Sequence, residues 1–292
     1  MAKQLQLRRG TTAQNFGLTG AEGEPTYDTE LKRLVLHDGI VAGGKAINLP
    51  RGYIDGLRLE RDSVNFQKLD IRTGQATDSQ NETMLDHTKN LKTIRLTTSG
   101  AGGLFSGTVA ANTWYHVFLI QQDSNGTISG GFDTSLTAAN RPAGWTRYRR
   151  IGSIKTNASS DITNFLQHGD LFLWTTAPTL DINDTALGTT RKTYTLANVP
   201  IGVEVLTFLN IYTASALVYV SHPEASDQSP SITAAPLLTA GNVAGVSRST
   251  VASHFLVKTD ASAQITARAD ASPSTLRAAV IGWIDQRGKD SL

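Results

Sequence analysis

The chain has 292 residues, 39% of them hydrophobic and 18% charged, with a formal net charge of +2. That composition folds, and the length allows two or three domains of about 100 to 200 residues each. The absence of cysteine excludes disulfides, thiolate catalysis and cysteine-based zinc or iron–sulfur sites, and so small a net charge does not point to nucleic acid as the partner.

The opening MAKQLQLRRG is basic but lacks the apolar stretch of about 7 to 15 residues that a signal peptide needs. No run of about 18 apolar residues follows anywhere, so synthesis in a cytoplasm without membrane insertion is expected. Short apolar runs separated by Gly, Asn, Asp and Ser clusters, with 26 glycines in all, read as strands joined by turns, an all-β chain.

In chain order, residues 4–8 alternate, with Leu5 and Leu7 opposite Gln4, Gln6 and Arg8, as in a half-buried strand that Gly10 ends. A second strand is expected over Lys32 to His37, turned by Asp38-Gly39, with TGAEGEPTYD as punctuation between the two. Residues 1–50 hold too little apolar surface to stand alone, which predicts oligomerisation or packing on a neighbour. A joint is expected at Leu49-Pro50-Arg51-Gly52.

Beyond it, Tyr53 to Arg58, Gln67 to Ile71 and Leu91 to Leu96 are expected strands, with a polar loop at Thr73 to Thr83. ANTWYHVFLIQQ carries apolar residues on both faces and predicts a strand inside a sandwich or barrel. Its expected partner is Trp145 to Lys155 across a turn at Asp123-Ser124-Asn125-Gly126, and DLFLW is expected to close this unit. Ala177 to Thr190 reads as a linker into a third unit with strands at Lys192 to Ala197, Val203 to Tyr212, Ala216 to Ser221, His254 to Lys258 and Gln264 to Arg268. In ASPSTLRAAVIGWIDQRG, Ser272-Pro273 and the spacing of Leu276, Ala279 and Val280 suit a helix. Gly282 and the β-branched Val280, Ile281 and Ile284 favour a strand, which is the expectation.

Motifs that carry chemistry are scarce. Gly102 and Gly107 have the spacing of a phosphate loop, but Thr108 stands where its lysine belongs. HExxH, GxSxG and CxxC do not occur. His116 lies in the middle of an apolar strand and reads as a core histidine, and His37 reads as a turn residue. Asp181 to Thr185 places oxygen ligands at alternate positions as a calcium loop does, without the glycine and glutamate that complete one. Asp123, Asp133, Asp161 and Asp170 are carboxylates in turn-like stretches that sequence alone cannot pair across space, as glycoside hydrolysis would require. Trp145, Arg147, Tyr148, Arg149, Arg150 and Lys155 interleave aromatic and basic side chains, a composition able to hold a phosphodiester or an acidic sugar. Strict alternation splits these charges between two faces, which favours a solvated strand edge or a subunit contact. No cofactor, metal or catalytic residue is expected.

RRGTTAQ at Arg8 to Gln14, TGAEGE at Thr19 to Glu24, Asp28, HDG at His37 to Gly39 and AGG at Ala42 to Gly44 resemble the N-terminal domain of the bacteriophage major tropism determinant. The chain departs from it in a second arginine and in Pro25. TGQATDSQN, NTWYHVFLI, GWTRYRRIGSI and GWIDQRG are similar to distal parts of phage and prophage tail proteins, and not to the lectin-type domain that ends the tropism determinant.

The resemblance implies a virion protein, more of the tail than of the head, that forms a homotrimer through its N-terminal unit. Its partners would be other tail or baseplate proteins and a host surface glycan or protein. The expected organisation is a trimeric β-prism-like unit at 1–50, a central β-sandwich at 51–176 and a C-terminal β-sandwich at 177–292, both jelly-roll-like. A non-enzymatic tail-fibre or baseplate receptor-binding protein is the leading expectation, and a head, neck or collar fibre or adaptor the alternative. Arg8 and Arg9 are expected at an inter-subunit contact, and His222, Asp227 and Gln228 at a receptor contact in a loop of the last unit.

Overall fold

The computed structural model describes residues 7–30, 33–47, 49–88, 92–176, 179–214, 216–231, 233, 242–243 and 253–289. Nearly all of its regular structure is β, as expected. The first sheet contains β1 (Arg8–Gly10), β2 (Pro25–Asp28), β3 (Arg33–Leu36) and β4 (Lys45–Ala46), in that order. β1 and β2 run parallel, so the chain must cross over between them, and it does so through the five-residue helix α1 (Thr12–Phe16).

RRGTTAQ therefore encodes a strand followed at once by a capped helix. Thr11 Oγ1 accepts from the Gln14 amide at 3.2 Å while Gln14 Oε1 accepts from the Thr11 amide at 2.9 Å, a reciprocal capping box. The expected strand over residues 4–8 lies partly outside the described residues. TGAEGEPTYD is more than punctuation, since its last four residues form β2.

The second part comprises β5 (Ile54–Gly56), β6 (Leu59–Arg61), β7 (Lys68–Ile71), β8 (Gly74–Thr77), β9 (Met84–His87), β10 (Lys92–Ser99), β11 (Gly103–Leu104), β12 (Trp114–Gln121), β13 (Ile128–Asp133) and β14 (Arg147–Lys155). Seven of these make a sheet in the order β14-β12-β13-β11-β10-β7-β6, and β5-β8-β9 make a smaller one. β12 is buried from Tyr115 to Ile120, and β14 is its antiparallel partner, both as expected.

The turn at Asp123 to Gly126 does not join these two strands; it leads from β12 into β13, which pairs along β12's other edge. β13 reads ISGGFD, and its glycines hide it from propensity. Position 131 is close-packed: a Cβ there would lie 2.1 Å from Phe105 Cε1, so a strand forms where composition suggests a loop. β8 likewise occupies the expected polar loop at Thr73 to Thr83, because Ala76 and Thr77 are buried.

The remaining strands are β15 (Phe165–His168), β16 (Leu171–Trp174), β17 (Ile182–Leu187), β18 (Lys192–Thr195), β19 (Leu206–Ala214), β20 (Val218–Ser221), β21 (Asn242–Val243), β22 (Ser253–Lys258), β23 (Gln264–Ala269) and β24 (Ser274–Ile284). One sheet runs β15-β16-β24-β19-β22 with β17 also on β24; the other runs β18-β23-β20-β21. DLFLW thus does not close the central unit: β16 pairs with β24, Phe172 opposite Trp283. The expected linker at Ala177 to Thr190 contains β17, anchored by buried Ile182 and Leu187.

β24 is the strand that its β-branched residues favour, with Ser274, Leu276, Ala278 and Val280 buried at a period of two. Gly282, which argued against a helix, has a positive role. A Cβ there would lie 2.4 Å from the Phe172 carbonyl oxygen, so glycine lets β16 approach.

One contiguous apolar core runs from Leu57 to Trp283 and draws on every sheet beyond the first. Its seam is aromatic. Trp114 of β12, Trp174 of β16 and Trp283 of β24 lie 5.0 to 5.9 Å apart by ring centroid, and Phe172 stacks on Trp283 at 5.2 Å with a 3° tilt. Such rings bury large apolar areas, so they stitch the seven-stranded sheet to the six-stranded one.

Candidate functional site

A cleft of about 820 Å³ opens where β14 meets the ends of β19, β22 and β24. Its walls include Tyr148, Arg149 and Arg150 of β14, Leu136 and Thr137 of the preceding loop, Glu204, Lys258, and Ile284 to Gln286. Residues from both sides of position 176 line it, so neither part could form it alone.

A bulge follows the two arginines on β14. β12 and β14 pair Phe118 with Arg150 and Val117 with Gly152, leaving Ile151 as the extra residue. Arg149 pairs with Leu119 and Arg150 with Phe118, both ahead of the bulge, so they face opposite sides of the sheet, yet both are buried. The expectation of a solvated edge is therefore corrected for these two, although their charges stay divided between the two faces as alternation predicts. Arg147, more exposed, pairs with Asp78 at 3.0 Å and Glu82 at 3.4 Å, and Lys155 donates to the Ala197 carbonyl at 2.9 Å.

Arg150 grips Asp285 with two hydrogen bonds, Nη1 to Oδ2 at 2.7 Å and Nη2 to Oδ1 at 2.5 Å, and also donates to Ser153 Oγ at 3.1 Å. Ser153 Oγ in turn lies 2.9 Å from His116 Nδ1. Burial, reinforced by the Arg150 charge, pushes His116 down to about 4, against the opposing pull of Asp285 and Asp133. His116 is the core histidine expected, and neutral at pH 7. Asp285 remains a carboxylate because Arg150 and the Arg287 amide stabilise its charge against the opposing effect of burial, which is the largest single influence on it.

Arg149 differs from its neighbour. Its Nη2 donates to the Gly52 carbonyl at 3.2 Å, while its Nε is buried without an acceptor. Burial lowers its proton affinity, as do the charges of Arg150 and Arg287, with Asp78 opposing. On the other wall Lys258 pairs with Glu204.

The other residues singled out in the sequence sit apart from this cleft. Arg8 pairs with Glu24 at 3.2 Å, and Arg9 is exposed. The His222 to Pro230 loop is tied back by Arg191, which donates to the carbonyls of His222, Pro223 and Ala225 at 2.5 to 2.9 Å. His222 Nδ1 accepts from the Glu224 amide, and Asp227 pairs with Arg268 at 2.7 Å; Gln228 lines a small recess beside them.

His37 follows β3 at the start of the turn, as expected, and is buried. Its Nδ1 accepts from the Gly20 amide at 3.3 Å, which leaves Nε2–H to donate to Thr26 Oγ1 at 3.0 Å. Asp184 bonds Lys192 and Tyr194 and is held down to about 2, first by the Lys192 hydrogen bond. Asp181 accepts from Asn198 and Val280, so this stretch is bonded within the protein. Among the described residues no group of three or more His, Asp or Glu side chains is arranged to hold a metal ion.

Asp123 is bonded to Thr146, Asp133 to Ser135 and Asn140, and Asp170 to Arg287 and Lys289, while the Asp161 amide donates to Asn157 Oδ1. Gly102 donates its amide to the Gly130 carbonyl, inside the β10–β11 turn. Glu204, Lys258 and Asp285 were not legible as site residues. Asp285 sits within GWIDQRG and Arg150 within GWTRYRRIGSI, but nothing in either stretch reveals that they meet.

Residues 5–40 of this all-β chain match the family model of the Major tropism determinant N-terminal domain. Over 182 residues the chain is 30% identical to the tail fiber receptor-binding protein of Bordetella phage BPP-1, a match covering 60% of this chain and 44% of that protein. The chain thus spans less than half of that relative's length. Among solved structures, the Major Tropism Determinant U1 variant aligns over 63% of this chain and 52% of its own, at 21% identity and a TM-score of 0.30. The I1 variant aligns over 66% and 55%, at 21% identity and a TM-score of 0.31.

Proposed function

We propose that the chain is a non-enzymatic structural protein of a phage tail, a tail-fibre or baseplate receptor-binding protein that attaches to the host surface. The observation that carries this reading is the 182-residue match to a tail fiber receptor-binding protein, which extends well beyond the N-terminal module.

In this reading residues 1–50 join three copies and attach them to other tail proteins. Support comes from apolar side chains that this small unit leaves in water: Phe16 is 77% exposed, Ile40 84% and Ile47 60%. Large apolar side chains left exposed on a unit this small suit an interaction surface. Arg8 and Arg9, exposed on β1, are the proposed inter-subunit donors. The parts at 51–176 and 177–292, built around their shared core, present the recognition surfaces: the cleft, and as a further proposed contact the turn carrying His222, Asp227 and Gln228. Weak single contacts multiply into firm adhesion through copy number.

Immunogold labelling of intact virions tests the assignment. Label at the tail fibre or baseplate is expected, whereas label confined to head, neck or collar would replace this reading with that of an adaptor.

A further inference from the structure

The ionised groups lining the cleft do not balance. Arg150 is matched by Asp285 and Lys258 by Glu204, which leaves Arg149. It is 3% exposed, forms no ion pair among the described residues, and makes the one hydrogen bond to the Gly52 carbonyl. A carbonyl satisfies a donor but does not neutralise a charge. Asp78, the carboxylate that attracts it, is already engaged by Arg147 at 3.0 Å.

A buried guanidinium without a counter-ion is strongly unfavourable, and here two further arginines, 150 and 287, repel it. An arrangement of this kind is relieved by an anion entering from the open side. Guanidinium groups take carboxylate and phosphate oxygens with paired, charge-assisted hydrogen bonds.

We propose that the cleft binds a sugar bearing an oxyanion, with Arg149 as its counter-charge. About 820 Å³ lies within the usual range of roughly 300 to 1,000 Å³ for ligand pockets, larger than a bare ion needs. The lining mixes the Tyr148 ring and the aliphatic Leu136, Val203 and Leu206 with the polar Ser79, Thr137 and Gln286. Apolar and hydrogen-bonding groups side by side suit a pyranose, which has both kinds of surface. This rests on the receptor-binding reading and specifies the ligand class that the cleft would take.

Calorimetric titration of the full chain with glucuronate, glucose 6-phosphate and glucose separates the chemistries on one ring. Saturable binding of glucuronate or of glucose 6-phosphate is expected, and which of them binds tighter decides between carboxylate and phosphate. Glucose is expected to bind at least tenfold more weakly. Arg149→Gln is expected to lower the affinity for the anionic sugar at least tenfold with its circular dichroism unchanged.

Because Arg149→Gln removes a buried group and could unfold the chain, Glu204→Gln supplies a second test at a side chain 47% exposed. Removing this competing carboxylate is expected to tighten anion binding several-fold. No saturable binding of either anionic sugar, or affinities that neither substitution moves, would overturn the proposal. Adsorption of virions to host cells keeps the two readings apart. If the chain blocks adsorption but takes no anionic sugar, the ligand class is wrong and the receptor-binding reading stands; if it takes the sugar but ignores host cells, the reverse holds.

Discussion

Arg150 and Asp285 meet in a buried, two-pronged ion pair across 135 residues of sequence, at 2.7 and 2.5 Å. The pair joins β14 to the residue just past β24, so it also fixes the two walls of the cleft relative to each other. Replacing a single partner strands the other charge in a dry place. Asp285→Ala is expected to cost about 3 to 5 kcal/mol, read as a lower urea midpoint. The double change Arg150→Met with Asp285→Leu is expected to recover most of that loss, since two apolar groups leave no stranded charge.

His116 makes stability depend on pH. The unfolded chain protonates this imidazole near 6.5, whereas the folded protein resists until about 4, because burial and Arg150 outweigh Asp285 and Asp133. Stability is fully retained above pH 6.5 and is lost as pH falls toward 4, by up to about 3 kcal/mol. His116→Gln removes this contribution. Melting temperatures of the two proteins measured from pH 7.5 to 4 should show the wild type falling more steeply below 6.5. Parallel curves would refute the assignment.

The aromatic seam predicts a graded response at position 283. Trp283 is buried and its indole N–H has no acceptor among the described residues. Trp283→Phe keeps a ring against Phe172 and discards that unsatisfied donor, so a change within about 1.5 kcal/mol is expected. Trp283→Ala opens a cavity and is expected to cost about 3 to 5 kcal/mol. Chemical denaturation of both variants provides the comparison.

The capping box predicts a local effect. Thr11→Ala removes one of its two hydrogen bonds, at a cost of about 1 kcal/mol to the helix. Hydrogen exchange should show faster amides at residues 12–16 and unchanged protection in β12. Exchange unaltered at residues 12–16 would mean that α1 does not depend on its cap.

What could be read in advance followed local chemistry. The apolar run from Tyr115 to Ile120 announced a buried strand, and the β-branched residues of β24 outweighed the helical spacing of Leu276 and Ala279. β13 escaped because its Gly130 and Gly131 are chosen for close packing against neighbours that only the tertiary structure supplies. β17 escaped because its sequence, INDTAL, is half polar, with buried Ile182 and Leu187 only at its ends, and it pairs with β24 through its backbone. The site was half visible. GWTRYRRIGSI stood out for its charges, but Arg149 and Arg150 are buried against partners distant in sequence, the Gly52 carbonyl and Asp285, which local periodicity does not encode. The TTAQ stretch, with a residue on either side of the helix start bonding the other, was a legible capping signature that the strand pattern before it obscured.

The proposed role is attachment of a phage tail to its host. The measurement that bears on it most directly is adsorption of the phage encoding the chain to host cells preincubated with the purified full chain. The chain is expected to bind these cells saturably and to lower the adsorption rate in proportion to occupancy. Undiminished adsorption at concentrations that coat the cells, or no binding of the chain to them at all, would contradict it.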